Sequence, residues 1–182
     1  QYRTALTKPR VSSLVPLVSY PHWISSTSVA HHHSHAAAGY YTSPYRDAAV
    51  LVVDSIGEWE TLTIWKGEGR DLKRVFSQGY PNSLGLWYSA MTQRIGLKPN
   101  EDEYILMGWA ALGDPEKYKK KIFEDFFHPL NPNSPTIRFK QNLHRGCKDW
   151  APELDTIQDY ADIAAATQAV YEYVFTHLVK QT

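Results

Sequence analysis

Apolar positions in the first half of the chain fall into short runs that predict a meander of strands. Residues 48–54 form a continuous apolar run that ends in a carboxylate, and residues 60–66 alternate like an antiparallel partner. Residues 67–69 supply a glycine turn, and residues 72–77 give a third strand. A β-branched stretch at residues 23–30 predicts one more strand before them.

An alanine-rich face predicts a short helix at residues 31–41, before the apolar run. In the second half of the chain, apolar spacing predicts helices at residues 83–95, at 116–127 and from 155 or 156 to about 178. Residues 136–143 form a further strand candidate. In the last helix we expect these residues to be buried: Ile157, Tyr160, Ala164, Val174 and Leu178. Strands followed by helices predict an α/β domain with a mixed sheet.

Composition narrows the classes of function. Lys plus Arg and Asp plus Glu both number 19, so the formal net charge is zero, which argues against a nucleic-acid footprint and a polybasic membrane anchor. The longest apolar run, at residues 48–53, is too short to span a bilayer. The single cysteine, Cys147, excludes an internal disulfide and fits a reducing compartment, so we expect a cytoplasmic location. Because the chain begins with Gln1 rather than Met, we expect a fragment of a longer protein.

A histidine cluster is the first candidate for chemistry. Four of the eight histidines lie within residues 31–35. On a helix, His31 and His35 are one turn apart and project from the same face, so the two imidazoles can chelate one divalent metal. A structural or solvent-facing role for this pair stays open. His32 and His33 point to other sides of the helix, where they bind substrate, pack or face water.

Asp54 is the second candidate, because it ends the apolar strand and residues 55–57 turn the chain directly afterwards. A carboxylate in this position commonly faces a ligand crevice, and Gly57 permits close approach of a phosphate or a metal-bound ligand. The alternative is a carboxylate that only stabilises the turn. Two histidines and one carboxylate are typical of a first-row metal with open coordination positions, so we predict Fe²⁺, with Zn²⁺ or Mn²⁺ as alternatives.

These residues also carry a family resemblance. The stretch HHHSHAAAGYYTSPYRDAAVLVVDSIGEWETLTI resembles the central signature of the carbamoyltransferases of tobramycin, cephamycin and nodulation-factor biosynthesis, in which an HHxxHA motif precedes a hydrophobic strand and DGxGEW. The similarity continues through PNSLGLWYSAMTQRIGLKPNEDEYILMG. It covers residues 28–113 well and residues 150–175 loosely. Ser55 departs from the family pattern, in which a glycine is common at that position.

The resemblance implies an actin-like ATPase (ribonuclease H-like) lobe with a mixed sheet and flanking helices, a fold shared with the tRNA threonylcarbamoyl-transfer enzyme. Residues 1–182 would be part of a two-lobe N-terminal domain. The first phosphate hairpin and the second lobe of that domain would be absent from these residues. Matched to the family motif, the metal ligands are His31, His35 and Asp54. Contacts to a carbamoyl-adenylate are expected from Gly57, Glu58 and His32, although a structural role for Glu58 is the alternative.

The activity that the resemblance implies is O-carbamoyl transfer. Carbamoyl phosphate, with ATP as co-substrate, would give a carbamoyl-adenylate, and a hydroxyl of a small-molecule or glycan acceptor would receive the carbamoyl group. The sequence identifies no catalytic residue for this step. Two alternatives remain: threonylcarbamoyl transfer to tRNA, against which the neutral charge argues, and a non-catalytic remnant or binding module. A homodimer is left open, and we expect this chain alone to be inactive.

Overall fold

The computed structural model describes residues 28–182, and within them three consecutive strands form one antiparallel sheet. These are β1 (Asp47–Gly57), β2 (Glu60–Glu68) and β3 (Asp71–Gly79), in the order β1-β2-β3. Two-residue turns join them, and adjacent strands joined so tightly must run antiparallel because a parallel pair needs a long crossover. The expected mixed sheet is therefore wrong for this part of the chain. The strand expected at residues 23–30 lies almost wholly outside the described residues.

Five helices surround the sheet in the described part of the chain: α1 (His31–Tyr41), α2 (Leu84–Arg94), α3 (Glu103–Trp109), α4 (Pro115–Phe126) and α5 (Ile157–Gln181). Short 3-10 turns occupy Ala110–Leu112 and Leu143–Arg145. Side chains cap the first turns of three helices, Ser83 on α2, Asp114 on α4 and Thr156 on α5, where Asp159 completes a capping box. No helix among residues 28–182 is long and apolar enough to cross a membrane.

The sheet separates two unequal layers. Among the described residues, α1 is the helix on one face, and its Ala36 forms a small apolar cluster with Val52 and Trp65 of the sheet. On the other face Leu51 and Val53 pack into a large core built mainly by α2, α4 and α5. That core contains fully buried side chains, among them Trp87, Met91, Ile122, Phe126, Ile163, Val170, Val174 and Leu178. The core face therefore carries most of the apolar burial of the described residues.

The predicted strand at residues 136–143 is wrong, because this segment makes only an isolated bridge between Phe127 and Phe139. Ile137 and Phe139 do alternate into the core. Their amides, however, donate to side chains: Ile137 N to Gln78 Oε1 (2.9 Å) and Phe139 N to Asn82 Oδ1 (3.0 Å). Side-chain acceptors thus replace the neighbouring strand that the alternation suggested.

The final helix confirms most of the expected burial. Ala164, Val174 and Leu178 are fully buried and Tyr160 is half-buried. Ile157 is the exception at 79% exposed, because it begins the helix beyond the end of the core. The helix α3 was not expected, since its seven residues offer too short a pattern to show helical periodicity.

A buried carboxylate links α4 to α5. Asp162, which is 2% exposed, accepts hydrogen bonds from Lys117 Nζ (2.8 Å) and the Asp114 amide (2.8 Å). One turn earlier, Asp159 accepts a hydrogen bond from Tyr118 Oη (2.6 Å). Burial alone would raise the pKa of Asp162, but these donors outweigh it and hold the pKa below its ordinary value. Hydrogen bonds from Thr156 and Tyr118 also lower the pKa of Asp159.

Candidate metal centre

The helix α1 and the strand β1 each present their part of the site for a simple geometric reason. His31 and His35 lie one helical turn apart at the start of α1. Along β1, side chains alternate between the two faces, and Val50 and Val52 lie on the face that α1 covers. Asp54 continues this alternation, so its carboxylate lies beneath the first turn of α1.

The structure brings the three expected donor atoms together. His31 Nε2 lies 2.7 Å from Asp54 Oδ2 and 2.9 Å from His35 Nε2. His35 Nε2 lies 3.9 Å from Asp54 Oδ2. The side chains of His31 and His35 are 43% and 56% exposed, and that of Asp54 is 28% exposed, so the cluster opens to solvent. Within residues 28–182, a ligand can therefore reach it without rearrangement of the fold.

The three distances, 2.7, 2.9 and 3.9 Å, lie on either side of those expected around a shared cation, so small side-chain shifts would allow one to bind. Donor atoms that lie about 2.1 Å from one ion are roughly 3.0–3.4 Å from each other. In addition, His31 Nε2 carries either one proton or one lone pair, so it satisfies only one of its two close contacts well. A cation among the three atoms would satisfy all of them. Imidazole nitrogen and carboxylate oxygen are also the donor types that Fe²⁺, Zn²⁺ and Mn²⁺ accept.

An irregularity in β1 positions Asp54. Val53 pairs with Leu62 and Gly57 pairs with Glu60, so residues 54–56 of β1 lie opposite the single residue Thr61 of β2. Such a bulge bends its strand and redirects side chains, and bulges are frequent beside functional sites. Here the bulge begins at Asp54, which supplies the carboxylate of the candidate metal centre.

Hydrogen bonds hold the Asp54 carboxylate in one orientation. The Ser55 amide donates to Asp54 Oδ1 (2.6 Å), which leaves Oδ2 for the histidines. The Asp54 carbonyl accepts from Ser83 Oγ (3.1 Å), the same hydroxyl that caps α2 by accepting from the Leu86 amide. The start of α2 therefore braces the bulge from the other face of the sheet.

His32 lies beside the cluster but is buried, with 1% of its surface exposed. Its Nδ1 lies 2.9 Å from Thr63 Oγ1, and Trp65 Nε1 donates to the same hydroxyl oxygen (2.9 Å). Burial lowers the pKa of His32, so its ring is neutral at physiological pH. Its Nε2 is buried without a well-formed hydrogen bond in the described residues, although a contact with the Glu60 backbone partly offsets the lowering of the ring's pKa. An unsatisfied polar atom in this position suits a ligand contact.

Gly57 explains how α1 and the strand β1 approach each other so closely. A Cβ at this position would overlap the His31 ring and would lie 2.6 Å from His32 Cδ2. Any larger residue would therefore displace the histidines. His33 stacks on Trp65 with ring centroids 4.9 Å apart, away from the donor atoms. Glu58 is exposed in the turn after Gly57, with a φ of 59°.

Sequence reasoning missed the residues that support the site. Neither the bulge opposite Thr61 nor the contact of Ser83 with the Asp54 carbonyl was expected. Thr63 offered a signal, because a hydroxyl at a buried position of a central strand needs a polar partner across the layer. That partner is His32.

Comparison with known proteins identifies the family of the chain. Residues 17–177 match the family described as the carbamoyltransferase N-terminus. The chain is 37% identical over 162 residues to the uncharacterized protein sll1178 of Synechocystis sp., which covers 81% of the chain and 26% of that protein. It is 27% identical over 155 residues to the nodulation protein NolNO of Sinorhizobium fredii, with 84% of the chain and 22% of the relative covered. It is 26% identical over 153 residues to the nodulation protein NolO of Bradyrhizobium diazoefficiens, with 82% and 28% covered.

The chain belongs to the carbamoyltransferase family, in the region that forms the N-terminus of these proteins. The family resemblance recognised in the sequence is thereby confirmed. The chain spans only about a quarter of the length of these relatives.

Proposed function

We propose that this chain forms part of an O-carbamoyltransferase and that His31, His35 and Asp54 hold a divalent metal in it, with Fe²⁺ as the first candidate. The observation that carries the proposal is the approach of three donor atoms from two elements to within 3.9 Å of one another. The match to the carbamoyltransferase N-terminus supports the reaction class. The actin-like lobe implied by the resemblance remains part of this proposal.

The chain's own residues would bind and orient a carbamoyl-adenylate next to this cluster. The bound metal would supply positive charge to the phosphate of that adenylate. Gly57 would contact the phosphate through its backbone, because the His31 and His32 rings fill the space of a side chain, and His32 would contribute its buried Nε2. Glu58 would contact the nucleotide from the exposed turn.

The transfer itself would be direct. An oxygen of the acceptor hydroxyl forms a bond to the carbamoyl carbon, the bond from that carbon to the phosphate oxygen breaks, and AMP leaves with the electron pair. The hydroxyl proton passes to solvent or to a base from the remainder of the protein. Carbamoyl phosphate and ATP are the proposed source of the adenylate.

Metal binding by the purified chain tests the site. After incubation with Fe²⁺ under anaerobic conditions, or with Zn²⁺, elemental analysis should give one ion per chain. His31→Ala, His35→Ala and Asp54→Asn should each reduce the metal content at least tenfold, because two protein ligands compete poorly with water. His33→Ala is the matched control and should retain the ion, since its ring packs on Trp65. Equal metal content in all four variants would rule out the cluster as the site.

Carbamoyl transfer should be assayed on the protein extended to the full length of its relatives. Consumption of carbamoyl phosphate and ATP with carbamoylation of a hydroxylated acceptor supports the transferase. Modification of tRNA with a threonine-derived group would instead support the tRNA reaction. No turnover with any acceptor, despite metal binding, would favour a binding module. The chain of 182 residues by itself should show no transfer.

A further inference from the structure

A buried chain of hydrogen bonds joins the sheet to α1 beside the candidate metal centre. It runs from Trp65 through Thr63, both on β2, to His32 in the first turn of α1. Trp65 Nε1 and His32 Nδ1 each lie 2.9 Å from Thr63 Oγ1. All three side chains are buried, and Thr63 is fully inaccessible to solvent. Bulk water therefore does not replace these hydrogen bonds, and a polar atom without a partner is costly here.

The number of available protons fixes the direction of each hydrogen bond. An indole N–H only donates, so Trp65 uses one lone pair of the Thr63 oxygen. The Thr63 hydroxyl has one proton of its own, and within residues 28–182 the acceptor in reach of it is His32 Nδ1. A proton on Nδ1 would leave the hydroxyl proton of Thr63 buried without an acceptor. Nδ1 is therefore the bare nitrogen, and the proton of the neutral ring lies on Nε2.

The surroundings of His32 Nε2 agree with a proton at that nitrogen. A Cβ at Gly57 would lie 2.9 Å from Nε2, so the nitrogen lies against the backbone of the strand end. The ring also contacts the Glu60 backbone, and this contact stabilises a protonated nitrogen, as a carbonyl oxygen does. Because Nδ1 faces Thr63, the contact with Glu60 falls to Nε2. Two separate contacts thus favour the same tautomer.

The tautomer distinguishes His32 from the two candidate metal ligands beside it. His31 Nε2 and His35 Nε2 lie 2.9 Å apart, and the ring centroids of His31 and His32 are 5.9 Å apart. A histidine nitrogen binds a metal through its lone pair, which an N–H lacks. In the Nε2–H tautomer, the ring of His32 has its lone pair on Nδ1, where the Thr63 hydroxyl occupies it. A third imidazole close to the cluster is thereby excluded from it.

We propose that Thr63 and Trp65 are positioning residues that hold His32 as the Nε2–H tautomer and keep it out of the metal coordination. Coordination by the histidines of α1 then stays with His31 and His35, which leaves positions of the metal open for a ligand. In the proposed function, His32 Nε2 acts as a hydrogen-bond donor and not as an acceptor. The role toward the metal rests on the proposed function, whereas the tautomer does not.

Proton–nitrogen correlation NMR of the isotope-labelled chain at neutral pH tests the tautomer, because a protonated and a bare ring nitrogen differ widely in chemical shift. With EDTA present, His32 should show a protonated Nε2 and a bare Nδ1. One equivalent of Zn²⁺ should then shift the ring nitrogens of His31 and His35 and leave His32 Nε2 protonated. A proton on His32 Nδ1, or loss of the Nε2 proton when Zn²⁺ is added, overturns the proposal.

Thr63→Val tests the role of the hydroxyl, because it keeps the shape of the side chain. Both tautomers of His32 should then be populated, so the shifts of Nδ1 and Nε2 should move toward each other. Thr63→Ser returns the hydroxyl and should return the original shifts. Thr92→Val is the matched control, because it removes an equally buried hydroxyl from α2 and should leave the His32 shifts unchanged.

Identical His32 shifts in Thr63→Val and in the unchanged chain would refute the role of Thr63. If Thr63→Val does not fold, Trp65→Phe replaces it. Without the indole N–H, the Thr63 oxygen is free to accept from Nδ1, and the Nδ1–H form should appear. A chain that binds no Zn²⁺ but holds His32 as the Nε2–H form would refute the metal centre and leave the tautomer assigned. Zn²⁺ binding by a chain whose His32 carries its proton on Nδ1 would do the reverse.

Discussion

The two faces of the sheet differ in how much apolar surface they bury and in the polar side chains that they carry. The core face buries the large side chains of α2, α4 and α5, and Trp87, Phe126 and Ile163 are fully inaccessible to solvent. In the part of the chain that the structure describes, the opposite face carries one helix, α1, whose Ala36 packs with Val52 and Trp65 of the sheet. That thin layer nevertheless holds four histidines and the approach to Asp54.

This difference shows that the fold and the candidate chemistry rest on separate contacts. Most of the apolar burial that favours folding lies on the core face. The α1 face is held by close approach of backbone and rings at Gly57 and by polar contacts such as that of His32 with Thr63. Changes on the core face should therefore affect stability, and changes on the α1 face should affect metal binding more than stability.

The largest expected effect tests the core face. Trp87→Ala removes a fully buried indole that packs against Phe127, with ring centroids 5.1 Å apart. The free energy of unfolding, measured by urea denaturation, should fall by about 3–5 kcal/mol. Trp65→Ala, in the smaller cluster under α1, should cost clearly less. Equal losses for the two tryptophans would show that the α1 layer contributes as much to stability as the core.

An intermediate effect tests the α1 face. In Gly57→Ala the new methyl group would overlap the His31 ring and crowd the buried His32 ring. Because His31 is partly exposed, it should move away and metal content should fall strongly, while stability decreases by about 1–3 kcal/mol. Elemental analysis and urea denaturation of the same preparation measure both.

The matched control is Gly39→Ala in α1, where a Cβ would meet only Val50 Cγ1, at 4.0 Å. This change should retain the metal and raise stability by about 0.5–1 kcal/mol, because alanine favours a helix interior over glycine. Full metal binding by Gly57→Ala would contradict the close packing of the two layers at the site.

The smallest effect concerns acid sensitivity of the core face. The folded-state pKa values of Asp159 and Asp162 lie below their ordinary values, so their contribution to stability is present above the unfolded pKa, about 4, and is lost as pH falls through the folded values. The urea midpoint should therefore decrease between pH 5 and pH 3. Asp162→Asn should lower the midpoint at pH 7 and flatten this dependence. An unchanged pH dependence in the variant would mean that other carboxylates control acid unfolding.

The elements with long, regular patterns were predicted from the sequence. The meander β1 to β3 and the helices α1, α2, α4 and α5 all lie within a few residues of the predicted positions, and a capping residue was recognised for α5. The failures have local causes. At residues 136–143 the alternation reflected burial, and the side chains of Gln78 and Asn82 took the place of a strand.

For the site, the sequence predicted the three donors, and the structure places them together. Helical spacing was sufficient to bring His31 and His35 together, whereas the sequence indicated only that Asp54 ends a strand, and the face of the sheet on which it lies is seen only in the structure. That the three donors bind a metal stays a prediction. The supporting contacts depend on tertiary packing. No local pattern reveals that Ser83 reaches the Asp54 carbonyl across 29 positions of sequence, or that Thr63 meets His32 across 31.

The bulge at residues 54–56 has a consequence for the dynamics of the strand. Residues 49–53 pair regularly with β2, whereas three residues share one partner position beyond them. Backbone amides that lack a ladder partner exchange with solvent through smaller openings than those in a continuous ladder. The end of β1 that carries Asp54 should therefore exchange its amide hydrogens faster than the middle of the same strand. Asp54 would thus lie on a segment that opens more easily than the rest of β1, between the paired residues Val53 and Gly57.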